Sequence, residues 1–212
     1  LFFQFSGHGS QVVDSGNDFD NEPDGLDEII CPIDLNWRDK IIKDDDLKRI
    51  FNKVPQDVNL TVVLDCCHSG SGMDSSNQYM PMGVATADLD PLSPNKSRLL
   101  EMPADIANRG MGLDLQPRTR QLQNVEEPKQ TGLLISGCQS HQTSADAYIG
   151  NRYIGAATFF LARNLAKFNY DVDYKTLIDI MNKELAEFNY NQRPELNGPQ
   201  ALFNKKFLQP FV

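Results

Sequence analysis

Three short apolar runs, each breaking off in a turn of small and polar residues, constrain this chain more than any other feature. They are "LFFQF" before "SGHG", "NLTVVLD" before "CCHSG" and "TGLLIS" before "GCQSHQTSAD". Apolar runs of this length bounded by glycine read as strands buried on both faces, the kind a parallel sheet requires. Apolar residues spaced three and four apart in "DDDLKRIFNKV" (44–54), "GAATFFLARNLAKF" (155–168) and "DYKTLIDIMNKELAEF" (173–188) predict amphipathic helices. Strands alternating with helices imply an α/β fold with a mainly parallel central sheet flanked by helices. Such sheets gather their sites beyond the carboxyl ends of the strands, where all three polar turns fall. "PQALF" near residue 200 is expected to add a closing strand. Residues 14–40, rich in Asp, Asn and Gly, read as loop. The stretch 69–129 has little periodicity and reads as a mobile or cleavable linker.

With 212 residues, 40% of them hydrophobic, the chain has material for one substantial core, and a single domain is expected. No uninterrupted apolar span approaches the ~18 residues of a membrane helix, so no membrane partner is expected. A net charge of −9 argues against nucleic acid and suits a cationic partner, either a metal ion or a Lys/Arg-bearing substrate. The chain opens on Leu1, inside an apolar run and without Met, as a piece or a processed product does. The four cysteines are Cys31, Cys66, Cys67 and Cys138, two adjacent and two far apart. That is no disulfide framework, and a reducing, cytoplasmic setting is expected.

The pair Cys66–Cys67 leaves two readings open. A cysteine at a strand end is often a small buried hydrophobe. It also serves as a nucleophile when a histidine reaches it, because an unassisted thiol is mostly protonated at pH 7. His8, flanked by Gly7 and Gly9 at another strand end, is the histidine a sheet could bring there, though it also reads as a solvated loop residue. Flanking glycines let backbone N–H groups approach a substrate carbonyl. Zinc on Cys66, Cys67 and His68 is the weaker alternative, since adjacent residues share one tetrahedral ion poorly.

In order along the chain, "FSGHGSQ", "EPDGLDEIICPIDL", "DCCHSGSGMD" and "SGCQSHQTSADA" resemble the metacaspases and their bacterial relatives, the orthocaspases. The resemblance covers nearly the whole chain except the linker. It implies a caspase-hemoglobinase-like three-layer sandwich, with residues 1–75 large-subunit-like, 76–130 the linker and 131–212 small-subunit-like. It implies a cysteine endopeptidase cutting after Arg or Lys through a thioester, acting on protein or peptide substrates as a monomer. Carried onto this sequence, Cys67 is the nucleophile and Cys66 the variable neighbour. His8 is the general base. The amides of Gly9 and Cys67 form the oxyanion hole, and Asp65 with Ser6 forms the pocket for the basic side chain. Calcium, required by many metacaspases, falls to Asp24, Asp44, Asp45 and Asp74. Loop carboxylates suit its demand for hard oxygens, although Asp44 and Asp45 could equally cap a helix and Asp24 could sit in a plain turn.

Two departures qualify the resemblance. The strand and helix that usually precede "SGHG", with a second acidic pocket residue, are absent, which leaves Arg over Lys undecided. Ser140 and His141 stand where relatives often carry Asp; His141 is expected at the pocket rim or on the surface, and Asp146 is expected to order its loop rather than touch substrate. Lys96, Arg98, Arg109, Arg118, Arg120 and Lys129 in the linker are the basic residues at which a self-processing enzyme could cut. Two other functions remain: an inactive caspase-like scaffold, and a metal-sensing regulatory domain.

Overall fold

The computed structural model describes residues 1–13, 26–67, 95–103, 132–139, 142, 144–149 and 151–210. His68, His141, Asp24, Asp74, Arg109, Arg118, Arg120 and Lys129 lie outside them.

The central sheet is built from the three apolar runs and one addition: β1 (Phe2–Ser6), β5 (Thr61–Asp65), β7 (Leu133–Ser136) and β10 (Glu195–Asn197). Its order is β1-β5-β7-β10, with β1, β5 and β7 parallel and β10 antiparallel to β7. Every residue of β5 is buried, as a strand covered on both faces must be. Alternation along the strands divides two cores. Val63, Leu133 and Ile135 face helices α2 (Ala156–Lys167) and α3 (Tyr174–Glu187), meeting Phe160, Leu177, Met181 and Leu185. Val62 and Leu64 face the other way, onto Leu47 and Phe51 of α1 (Asp44–Phe51). A helical layer therefore covers each face of the sheet, and the expected three-layer α/β architecture is the one observed. Fully burying side chains such as Leu177 and Leu185, both 0% exposed, contributes roughly 1.5–3 kcal/mol each.

Polar anchors fix the layers in register. The Asp173 side chain caps α3 by accepting the Thr176 N–H at 2.8 Å. Buried Tyr174 and Thr61 share a hydroxyl hydrogen bond of 2.6 Å, which ties α3 to β5. Asn164 on α2 donates to Glu184 on α3 at 2.6 Å.

Elsewhere the structure departs from the sequence reading, for one repeated reason: short strands whose partners lie elsewhere in the chain carry weak local signals. His8 does not sit in a free turn but begins β2 (His8–Val13), which pairs with β3 (Leu26–Cys31) inside the stretch read as loop. β3 pairs in turn with β4 (Ile42–Lys43). The closing strand is β10, not "PQALF", where Gln200–Leu202 form a turn of 3-10 helix. Residues 145–155 make an unforeseen hairpin of β8 (Ala145–Ile149) and β9 (Arg152–Gly155). Within the expected linker, Asn95–Ser97 is strand β6, paired antiparallel with β8. Among the described residues no helix is long and apolar enough to cross a membrane.

Candidate active site

The carboxyl ends of β1, β5 and β7 meet at one edge of the sheet. Ser6 registers against Asp65, the Gly7 N–H donates to the Asp65 carbonyl at 3.2 Å, and the Gly137 N–H donates to the Leu64 carbonyl at 2.8 Å. The approach of the first two turns demands glycine. A Cβ on Gly9 would stand 1.9 Å from the Cys67 carbonyl oxygen, so no other residue fits without moving the backbone.

Across this junction runs Asn95–Leu100, held as an added strand. Ser97 registers against Ala145 and Lys96 against Asp146. The Arg98 N–H donates to the Ser144 carbonyl at 3.1 Å, and the Leu100 N–H to the Gly9 carbonyl at 2.8 Å. The Gly9 N–H donates to the Arg98 carbonyl at 3.0 Å, and His8 Nδ1 lies 3.1 Å from the same oxygen. One peptide carbonyl of the chain is thus gripped by the glycine amide and the imidazole that the sequence singles out.

The Arg98 side chain turns inward and is 6% exposed. Its Nη1 donates to Ser6 Oγ at 2.8 Å and to the Asp65 carbonyl at 2.6 Å, and lies 3.7 Å from Asp65 Oδ2. Its Nη2 donates to Asp146 Oδ1 at 3.0 Å. Asp65 is fully buried, and its Oδ2 accepts the Thr158 N–H at 2.8 Å and the Thr158 hydroxyl at 2.6 Å. Gly155 leaves the space: a Cβ there would be 2.2 Å from Asp65 Oδ2 and 2.6 Å from Arg98 Nη1. Asp65 and Ser6 are therefore together on a guanidinium. Asp146, on β8 rather than in a loop, is the second carboxylate on that cation. Thr158 and Gly155 escape sequence reading, because nothing local marks a helix-start threonine or a strand-end glycine as a pocket wall.

Cys67 is 1% exposed, with its sulfur accepting the Ser144 N–H at 3.1 Å and lying 3.5 Å from the Ser144 carbonyl and 3.9 Å from Ser97 Oγ. Burial pushes the thiol up from 9.0 to about 12, and Cys138 adds to the rise. Hydrogen bonds from Ser97 and from the backbone of Ser144 and Arg98 oppose it without cancelling it. With the added strand seated, Cys67 is a thiol at neutral pH. The exposed His8 and the buried Cys67 thus border one residue, Arg98, from its carbonyl and from its backbone on the Ser97 side. The amide that reaches the Arg98 carbonyl is that of Gly9 rather than Cys67. Cys66, 0% exposed, packs with Ile30, Leu47 and Leu60 as a core residue, and burial raises its thiol further.

Of the four aspartates assigned to calcium, Asp44 and Asp45 are described. Both stand in the first turn of α1, where Lys48 lies 2.9 Å from Asp44 and 3.7 Å from Asp45. The capping role belongs to Asp46, which accepts the Lys43 N–H at 3.3 Å and pairs with Arg49 at 2.8 Å. Asp45 is 1% exposed, and so is Asp27 on β3, ion-paired with Lys43 and passed over in the sequence. Among the described residues no three acidic, histidine or cysteine side chains converge as a metal site.

Comparison with known proteins follows the same lines. A family model described as the metacaspase, peptidase C14 domain matches residues 1–76. The chain is 33% identical to metacaspase-1 of Coccidioides immitis and 31% identical to metacaspase-1 of Cryptococcus neoformans, each over 95% of its length. It spans 45% and 46% of those relatives, about half of their length. A crystal structure of a Geobacter sulfurreducens protein, GSU0716, superposes with a TM-score of 0.61 at 26% identity, covering 100% of this chain and 71% of that one. Motifs in family order, a parallel sheet that brings them to one edge and similarity along 95% of the sequence are what this chain shares with the metacaspases.

Proposed function

We propose that this chain is the catalytic core of a cysteine endopeptidase that cuts after Arg, and more slowly after Lys, and that first processes itself at Arg98–Leu99. The observation that carries the reading is the seat of Arg98, with its cation between Ser6, Asp65 and Asp146 and its carbonyl on Gly9 N–H and His8. Both terminal guanidinium nitrogens are used, from directions a planar fork satisfies and a single ammonium does not, which favours Arg over Lys.

In the reaction His8 takes the Cys67 proton, and the sulfur attacks the carbonyl carbon of the basic residue. The carbonyl electron pair moves to oxygen, where the Gly9 N–H stabilises it. Collapse breaks the C–N bond, and the departing amine takes its proton from His8. A thioester on Cys67 remains, and water activated by His8 hydrolyses it to the Arg carboxylate. Excluding water from Cys67 strengthens each of these contacts and also keeps the thiol protonated until His8 accepts its proton.

Calcium belongs to the same reading. Asp44 and Asp45 supply hard oxygens at one helix start and fit the ion chemically; Asp24 and Asp74 complete the set. A bound ion would compete with Lys48 for these carboxylates and would brace the loop before α1.

Fluorogenic reporters ending in Arg, Lys or Asp, assayed with calcium and with chelator, test the proposal. Turnover of Arg above Lys with none for Asp is expected, together with a new N-terminus at Leu99. Turnover of Asp reporters, or intact Arg98–Leu99 beside rapid cutting elsewhere, overturns it.

A further inference from the structure

Resting on the reading that Asn95–Arg98 lies in the groove as a substrate does, we infer that Tyr153 is a specificity-determining residue that selects a cationic side chain two positions before the cleaved Arg. Successive residues of the strand point to opposite sides, so residues two apart share one. Arg98 enters the acidic pocket, and Lys96, two residues earlier, is carried to the β8–β9 hairpin, with its Nζ 4.4 Å from the centroid of the Tyr153 ring. That is within the range of a cation over an aromatic face.

The ring is held ready for this contact. Tyr148 and Tyr153 are register partners across the hairpin, with ring centroids 5.1 Å apart at 60°. The Tyr148 hydroxyl donates to Asn151 Oδ1 at 2.7 Å, and Asn151 takes a left-handed φ of 67° at the tip. Tyr153 is 43% exposed, so a substrate strand paired to β8 reaches it without displacing core. The nearest acid on the paired strand, Asp146, is committed to the Arg in the pocket. Selection at this position therefore falls to the aromatic face rather than to a carboxylate.

Reporters of the form Asn-Xaa-Ser-Arg test this in the self-processed chain and, in parallel, in the Arg98→Ala chain, whose own strand offers the pocket no cation. Xaa is Lys, Arg, norleucine or Glu. An exposed cation–π contact corresponds to a preference of about two- to fivefold in kcat/KM for Lys or Arg over norleucine, the uncharged isostere of the stem. Tyr153→Leu is expected to abolish that ratio and Tyr153→Phe to keep it; because each ratio is taken within one preparation, a change in folded fraction cancels. Equal rates for Lys and norleucine overturn the inference, as does a preference that survives Tyr153→Leu, which would assign selection to Asp146. A protein that cuts Arg reporters without regard to Xaa refutes this inference alone, whereas one that cuts no Arg reporter refutes the peptidase reading and this inference with it.

Discussion

Replacing Arg98 by Met keeps the stem and removes the charge, so it isolates what the buried cation contributes. Asp65 is 0% exposed and Arg98 6%, and the guanidinium gives hydrogen bonds to Ser6, to the Asp65 carbonyl and to Asp146. Removing one partner of a buried pair costs roughly 3–5 kcal/mol. Two features hold this case to the lower end. Asp65 keeps both hydrogen bonds from Thr158, and the strand 95–100 can detach, letting water reach the carboxylates. We expect a loss of about 3 kcal/mol, or about 6–12 °C in melting temperature for a chain of this size. The assay is thermal unfolding in a Cys67→Ala background, which prevents turnover. A peptide amide Asn-Lys-Ser-Arg added at a hundredfold its Kd is expected to return about 2.7 kcal/mol by mass action. The same peptide ending in Asp should return nothing. An Arg98→Met chain melting within about 1 °C of its parent, or equal rescue by both peptides, would refute the assignment of the pocket.

Cys67→Ala is expected to abolish cutting of Arg reporters while Cys66→Ala largely spares it; equal losses would overturn the choice of cysteine. Gly9→Ala forces a Cβ to within 1.9 Å of the Cys67 carbonyl and displaces the amide on the Arg98 oxygen, so kcat/KM should fall at least ~10²-fold; a wild-type rate would exclude Gly9 as the oxyanion donor. The Cys67 thiol is raised from 9.0 to about 12 on folding. Its contribution is therefore complete below pH 9 and is lost as the pH rises toward about 12, at about 1.4 kcal/mol per unit. Denaturant titrations at pH 8 and pH 10 should show a smaller alkaline loss for Cys67→Ala than for the parent, and parallel losses would mean the sulfur is solvated. Calorimetry on the Cys67→Ala chain should detect calcium binding that Asp45→Asn weakens by tenfold or more; unchanged binding would remove Asp45 from the ligand set.

How far the sequence could be read depended on whether a signal was local. β5 announces itself because a strand buried on both faces must be apolar at every position, and α3 because its apolar stripe and the Asp173 cap act within one turn of one another. His8, Gly9 and Cys67 were legible beside strand ends that composition marks, whereas Asp65 was singled out by the family resemblance alone. β2, β3 and the β8–β9 hairpin were not. Val12 and Ile29 are buried by partners elsewhere in the chain, and alternation over four to six residues cannot be told from chance without those partners.

Asp146 and Arg98 carry the argument one step further. Taken singly, an Asp in "TSADA" and an Arg among scattered basic residues are surface charges, and charge alone cannot choose between Arg98 and the five other basic residues of that stretch. The choice is made by pairing. Once Lys96 registers on Asp146, strand geometry delivers the side chain two residues later to Asp65, and its carbonyl to the Gly9 amide and His8. On the proposed reading, specificity is a property of register. Shifting β6 by one residue would point Ser97 at the buried Asp65 and the half-buried Asp146 and strand them without a cation, at a cost no surface arginine incurs. The same requirement that seats Arg98 would therefore reject any peptide whose basic residue arrives one position early or late.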